Sequence, residues 1–171
     1  LREFSENIAM NPKPNYTLLE ARQELAKRSN QQFWELLETS DRTSTEDEDL
    51  LLAAYASLYL WKAVGTAAHT QRGYWLVARA FISLQQADDA IIWAEKCLKI
   101  TEEYPEEMED FDLAYAEESL ARAYALAGMI DQAQRHRAEA ETLGEQIKDE
   151  EDRKIFWGDF QAGDWYQLHS E

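Results

Sequence analysis

Apolar positions recur at helical spacing along most of the chain, and polar or turn-forming residues divide them into about seven blocks. The first block opens at Thr17, where Glu20 three residues on completes a capping box, each side chain bonding the other residue's backbone N–H. Leu18, Leu19, Ala21, Leu25, Phe33, Trp34 and Leu37 carry this helix forward, whereas residues 1–16, with Pro12, Pro14 and several Asn, show no period and read as a flexible lead-in. The polar stretch 39–49 holds Thr45 and Glu48, a second capping-box pair, and predicts a helix over about 46–63. From Leu50 to Trp61 that helix is apolar nearly all round, the pattern of a helix buried on several sides. Gly65 and Thr66 break it. Thr70 caps a third helix over 71–85, a fourth covers 87–101, and the acidic connection 102–110, with Pro105 inside it, leads to a fifth ending near Ala127. Gly128 punctuates as a C-terminal cap does. A sixth helix covers 131–147, a weaker seventh 150–161 with Gly158 interrupting it, and 162–171 is an aromatic tail holding Trp165 and Tyr166.

Composition agrees with this pattern. Six Gly and three Pro are few turn-formers for an all-β chain of 171 residues, while helix formers abound. The class expected is all-α, with 17–161 as one helical domain. Charge then narrows the partners: 34 Asp and Glu against 17 Lys and Arg leave a net charge of -17. Nucleic-acid binding depends on neutralising phosphates with basic residues, and no basic stripe offsets the excess. An anionic membrane surface is disfavoured by the same sign argument. The apolar stretch 50–61 is interrupted by Ser57 and falls short of the ~20 residues needed to span a bilayer. The opening Leu1-Arg2-Glu3-Phe4 has neither the basic leader nor the apolar core of a secretion signal, and Leu1 in place of an initiator Met leaves the native start open upstream. Cys97 is the only cysteine, so no intrachain disulfide is possible and a cytoplasmic location is the expectation.

The most informative signal is a self-match at an offset of 43 residues. Ala78-Arg79-Ala80-Phe81 aligns with Ala121-Arg122-Ala123-Tyr124; Val77 meets Leu120, Asp88 meets Asp131, Ala90 meets Ala133 and Cys97 meets Ala140. Small residues are needed where the helices of a hairpin cross closely, and an aromatic fills the wedge between neighbouring hairpins. The match describes stacked helix hairpins with a shared core, copies lying at about 71–101 and 112–147. At these residues the chain resembles the tetratricopeptide repeat family, which places a small residue and an aromatic on the first helix, a Gly near the turn and two small residues on the second. Ala121, Tyr124, Gly128, Ala133 and Ala140 fit this pattern; Ala78, Phe81, Ala90 and Cys97 fit apart from Gln85 at the turn position. The family period is about 34 residues, so the acidic connection is about nine too long, and the first hairpin lacks the pattern. The order Trp61, Val64-Gly65-Thr66, Arg72-Gly73 and Trp75 also resembles small bacterial proteins of this layout with no assigned activity. The resemblance implies a right-handed stack of antiparallel hairpins, an α–α superhelix.

Chemical candidates are few. Cys97 falls at a small apolar repeat position and reads as buried packing, with no general base placed beside it. His69, His136 and His169 lack the spacing of helix-borne metal ligands and read as surface residues. The acidic run from Glu102 to Asp112 lacks the turn Gly and alternating oxygens of a calcium loop and reads as solvated, with a dock for a basic partner as the alternative. No metal or cofactor is expected. In the resembled family the first helices line a concave groove that grips peptides; carried over by position, the groove presents Arg72, Trp75, Arg79 and Ile82, then Tyr115, Glu118, Arg122 and Ala125. Arg79 and Arg122 have a second reading, pairing with Asp or Glu of the chain itself. The aromatic tail has three readings: capping the last hairpin, folding into the groove, or forming a dimer interface. The function expected is a protein-interaction module holding a peptide or protein segment, without catalysis. The alternative is a structural or regulatory homodimer joined through the apolar second helix or the tail.

Overall fold

The computed structural model describes residues 16–166 and 168, and these contain seven α-helices and no strand: α1 (Leu18–Leu37), α2 (Ser44–Val64), α3 (Ala67–Ser83), α4 (Ala87–Glu103), α5 (Asp110–Leu126), α6 (Ile130–Gln146) and α7 (Glu150–Gln161). Residues 1–15 of the 1–16 lead-in, and His169, lie outside the described residues. No helix among the described residues is long and apolar enough to cross a membrane.

Local chemistry sets the helix starts. Thr17 and Glu20 form the capping box of α1. The box opening α2 is Thr43 with Glu46, two residues before the expected Thr45 and Glu48: Thr43 N–H donates to Glu46 Oε2 at 2.7 Å. Arg42 fixes this register, because its guanidinium bonds Asp47 at 2.8 Å and the carbonyls of Leu36 and Leu37 at the end of α1. The third helix likewise starts ahead of the expected Thr70. Thr66 is its cap, donating its N–H to His69 Nδ1 at 3.2 Å, and Glu107 from the acidic connection accepts the Ala67 N–H at 2.7 Å. Glu107 thus places one carboxylate of that connection at a helix N-terminus, where it satisfies an orphan N–H group.

Hairpins α1–α2, α3–α4 and α5–α6 pack in succession, with α3 also touching α5. One cluster built around Phe33, Leu50, Leu58, Leu76, Val77, Phe81 and Leu120 runs through the first five helices. The apolar second helix is not buried all round: Leu50, Ala53, Ala54 and Leu58 face the core, but Leu52 and Tyr59 are 64% and 75% exposed on one outer stripe.

The two copies superpose in register. Adding the 43-residue offset to the bounds of α3 and α4 gives those of α5 and α6, all four helices being 17 residues long. Ala78, Ala90 and Cys97 are fully buried, as are Ala121, Ala133 and Ala140. The turns close alike: Gln86 N–H bonds Phe81 O and Met129 N–H bonds Tyr124 O, both at 2.9 Å. Both hairpins thus end their first helix in a Schellman-type turn, with a left-handed residue at matching places, Gln85 (φ 59°) and Gly128 (φ 72°). The repeat aromatics reach back alike: Phe81 packs edge-on against Tyr55 of α2, and Tyr124 bonds Glu95 of α4.

The helix α7 closes the last hairpin. Phe156 and Phe160 are buried with Ala114, Ala140 and Ile147, and Gly144 leaves no room for a Cβ against the Phe156 ring.

Candidate functional site

The face formed by α3 and α5, where sequence reasoning put a groove, is divided in two. One half lies under the chain's own C-terminal segment. Arg122, only 1% exposed, donates Nε to Glu118 Oε1 one turn before it on α5. Its Nη1 donates to Asp164 O at 3.0 Å, and its Nη2 to the carbonyls of Asp159, Phe160 and Ala162 at 3.0, 3.2 and 2.9 Å. These carbonyls are the orphan acceptors at and beyond the end of α7, the negative end of its dipole, so a buried cation suits them. Gly163 follows at φ +78°, where a Cβ would stand 3.1 Å from Arg122 Nη1. The chain then lays Trp165 over the guanidinium, 4.2 Å from ring centroid to Cζ, and Tyr166 donates its hydroxyl to Ile82 O at 3.3 Å. Leu168 is buried with Ala125 and Ala133. The tail therefore both continues the cap and enters the expected groove.

Ile82, Glu118 and Arg122 are thereby buried. Arg79 sits at the divide, 3.5 Å from the Glu118 oxygen that Arg122 also uses and 5.9 Å from the Trp75 centroid. The recurring arginines converge on one internal carboxylate, which is the pairing reading of these two residues.

The other half is open. A cavity of about 440 Å³ lies between α1, α3, α5 and α7, lined by Arg72, Trp75 and Tyr115 of the expected set and by Trp34, Phe111 and Asp159, which sequence reasoning missed. Trp34 lies 5.8 Å from Trp75, and Trp75 meets Tyr115 edge-on at 5.5 Å, making a continuous aromatic wall. Arg72 makes a bidentate bond to Asp112 at 2.9 Å per arm, which raises its pKa further, and its guanidinium stacks 5.0 Å from Phe111. Tyr115 donates its hydroxyl to Asp159 Oδ2 at 2.6 Å; burial and that carboxylate push the phenol far above its usual range, so it stays a donor. Two polar atoms of the lining residues have no partner: Gln71 Oε1 and Trp75 Nε1. The Gln71 orientation is set by its other arm, Nε2 donating to Asp112 O at 2.9 Å. Trp34 and Asp159 carried no usable signal in the sequence, since each enters the cavity from a helix outside the repeat.

The remaining candidates resolve into structure. Cys97 is fully buried, and burial drives its thiol pKa well up, away from a reactive thiolate. His69 and His136 are half-buried rather than surface residues. His69 stacks on Trp61 at 4.3 Å, its pKa lowered by burial and by Arg72; His136 stacks on Tyr124 at 5.4 Å and bonds Glu117. Comparison with protein-family models, with curated proteins and with solved structures finds no match for this chain.

Proposed function

We propose that this protein is a non-catalytic interaction module of the tetratricopeptide-like kind, acting in the cytoplasm and holding a peptide or protein segment on the face made by its first helices. The observation that carries the reading is the aromatic cavity: it opens on that face, between two repeat copies in register, and retains buried polar atoms without partners. Binding sites are concave and mostly apolar with a few convergent polar groups, and this cavity has that make-up. The ligand enters beside the chain's own tail rather than in its place. The test is an obstructed mouth. Ile155 stands half-exposed at the rim, so Ile155→Trp fills the opening without touching the core. Peptides selected for binding to the wild type lose affinity at least tenfold on this variant, with the melting temperature unchanged; equal binding refutes the reading.

A homodimer is the second reading, favoured by the exposed Leu52 and Tyr59 on α2. It requires a dimer mass by light scattering that Leu52→Glu with Tyr59→Glu halves; a monomer mass at high concentration removes it.

A further inference from the structure

We propose that the cavity accepts the cationic side chain, arginine or lysine, of a basic peptide segment; this rests on the binding reading above and names the chemistry of its ligand. The walls are ring faces and edges of Trp34, Trp75, Phe111 and Tyr115, and aromatic faces attract cations through their quadrupole. The chain already uses two of these faces in this way, holding Arg72 over Phe111 and Arg79 over Trp75.

One lining group is an acceptor open to a further donor. The Asp159 carboxylate receives the Tyr115 hydroxyl and has no ion-pair partner among the described residues. An ammonium or guanidinium supplies the charge-assisted N–H donors that a carboxylate without an ion-pair partner accepts. The one cation in the lining, Arg72, is neutralised by its bidentate bond to Asp112, with Glu109 and Asp152 also close enough to act on it. Asp159 thus leaves the lining net negative, and the overall charge of -17 draws cations toward it. An anionic ligand meets repulsion there. The cavity, at about 440 Å³, is larger than a guanidinium alone and has room for the aliphatic stem and the flanking main chain beside it. That favours a peptide over a free cation.

The test titrates the full chain with N-acetyl-arginine N-methylamide, its neutral citrulline counterpart, the glutamate counterpart and methylguanidinium, following the indole N–H signals of the tryptophans. The arginine amide is expected to shift Trp34 and Trp75 and to bind at least tenfold more tightly than the citrulline amide. Asp159→Asn weakens it at least fivefold with an unchanged melt, and Glu139→Gln, on the exposed side of α6, leaves it unaltered. Should Asp159→Asn disturb the fold, Asp159→Glu, which keeps the charge, restores affinity. Citrulline or glutamate amides binding the cavity as well as arginine overturn the cation assignment while the binding reading stands. Methylguanidinium binding as tightly as the arginine amide overturns the peptide source. No probe shifting either indole overturns both readings.

Discussion

Replacing Arg122 by Met tests whether the buried guanidinium holds the C-terminal segment in place. The methionine fills much of the arginine stem but carries no donor. Glu118, 1% exposed, is then left with only the 3.5 Å approach of Arg79, and the carbonyls of Asp159, Phe160, Ala162 and Asp164 lose their common donor. Removing one partner of a buried ion pair costs about 3–5 kcal/mol, because the surviving charge stays desolvated. For a domain of this size each kcal/mol moves the melting temperature by about 2–4 °C, so a drop of roughly 10 °C is expected. Thermal and urea unfolding followed by circular dichroism measure it. Repeating the substitution in a Glu118→Gln background divides the effect: with no carboxylate to strand, the cost falls, and what remains belongs to the carbonyls. A loss below about 0.5 kcal/mol, the range of ordinary surface substitutions, refutes the reasoning. If peptide binding disappeared at the same time, Arg122 would be a ligand-contacting residue instead.

Four further outcomes follow from the same structure. Thr43→Ala removes the α2 cap and costs about 1 kcal/mol, whereas Thr45→Ala stays within about 0.5 kcal/mol of wild type in urea titrations. The Thr43 N–H and hydroxyl hold the Glu46 carboxyl below its ordinary range, so the support it lends is present above the usual Glu pKa and fades as pH falls through the lowered value; melts at neutral and acidic pH on wild type and Glu46→Gln read it. At the repeat turns, Gly128→Ala costs about 1 kcal/mol because its φ of 72° is left-handed, and Gln85→Gly at φ 59° changes stability in the opposite direction. Deleting 162–171 uncovers Arg122, Phe160 and Ile82 and removes Trp165, Tyr166 and Leu168, lowering stability by about 3 kcal/mol or more; an equally stable, soluble product contradicts the covering role of the tail.

The hairpin repeat was legible because close helix crossings demand small residues, and Ala78, Ala90 and Cys97 with their partners 43 residues on stand at those crossings. The helix starts were less so: Thr-x-x-Glu occurs twice within 43–48, and the choice between the two boxes is made by Arg42, whose partners lie on both sides of the turn. Gln85 hid one turn, since a residue other than Gly holds a left-handed conformation there, with its side chain bonding Tyr166. Arg79 and Arg122 showed themselves by recurrence, but not their destination, because the carbonyls that receive Arg122 follow 37 to 42 residues later on an element outside the repeat. The cavity was half-legible for the same reason. Arg72, Trp75 and Tyr115 sit on the repeat and were placed by offset; Trp34 and Asp159 arrive from α1 and α7, whose approach is fixed by packing rather than by a local pattern.

The most direct test is the response of the six tryptophan indoles to a bound peptide. Trp34 and Trp75 are expected to shift and broaden as the cavity fills, while Trp165 keeps its signal, its Nε1 still bonded to Phe160 O beneath an undisturbed tail. Shifts at Trp165 with Trp34 and Trp75 unmoved would mean that the ligand displaces the tail and that the open cavity is not where this protein binds.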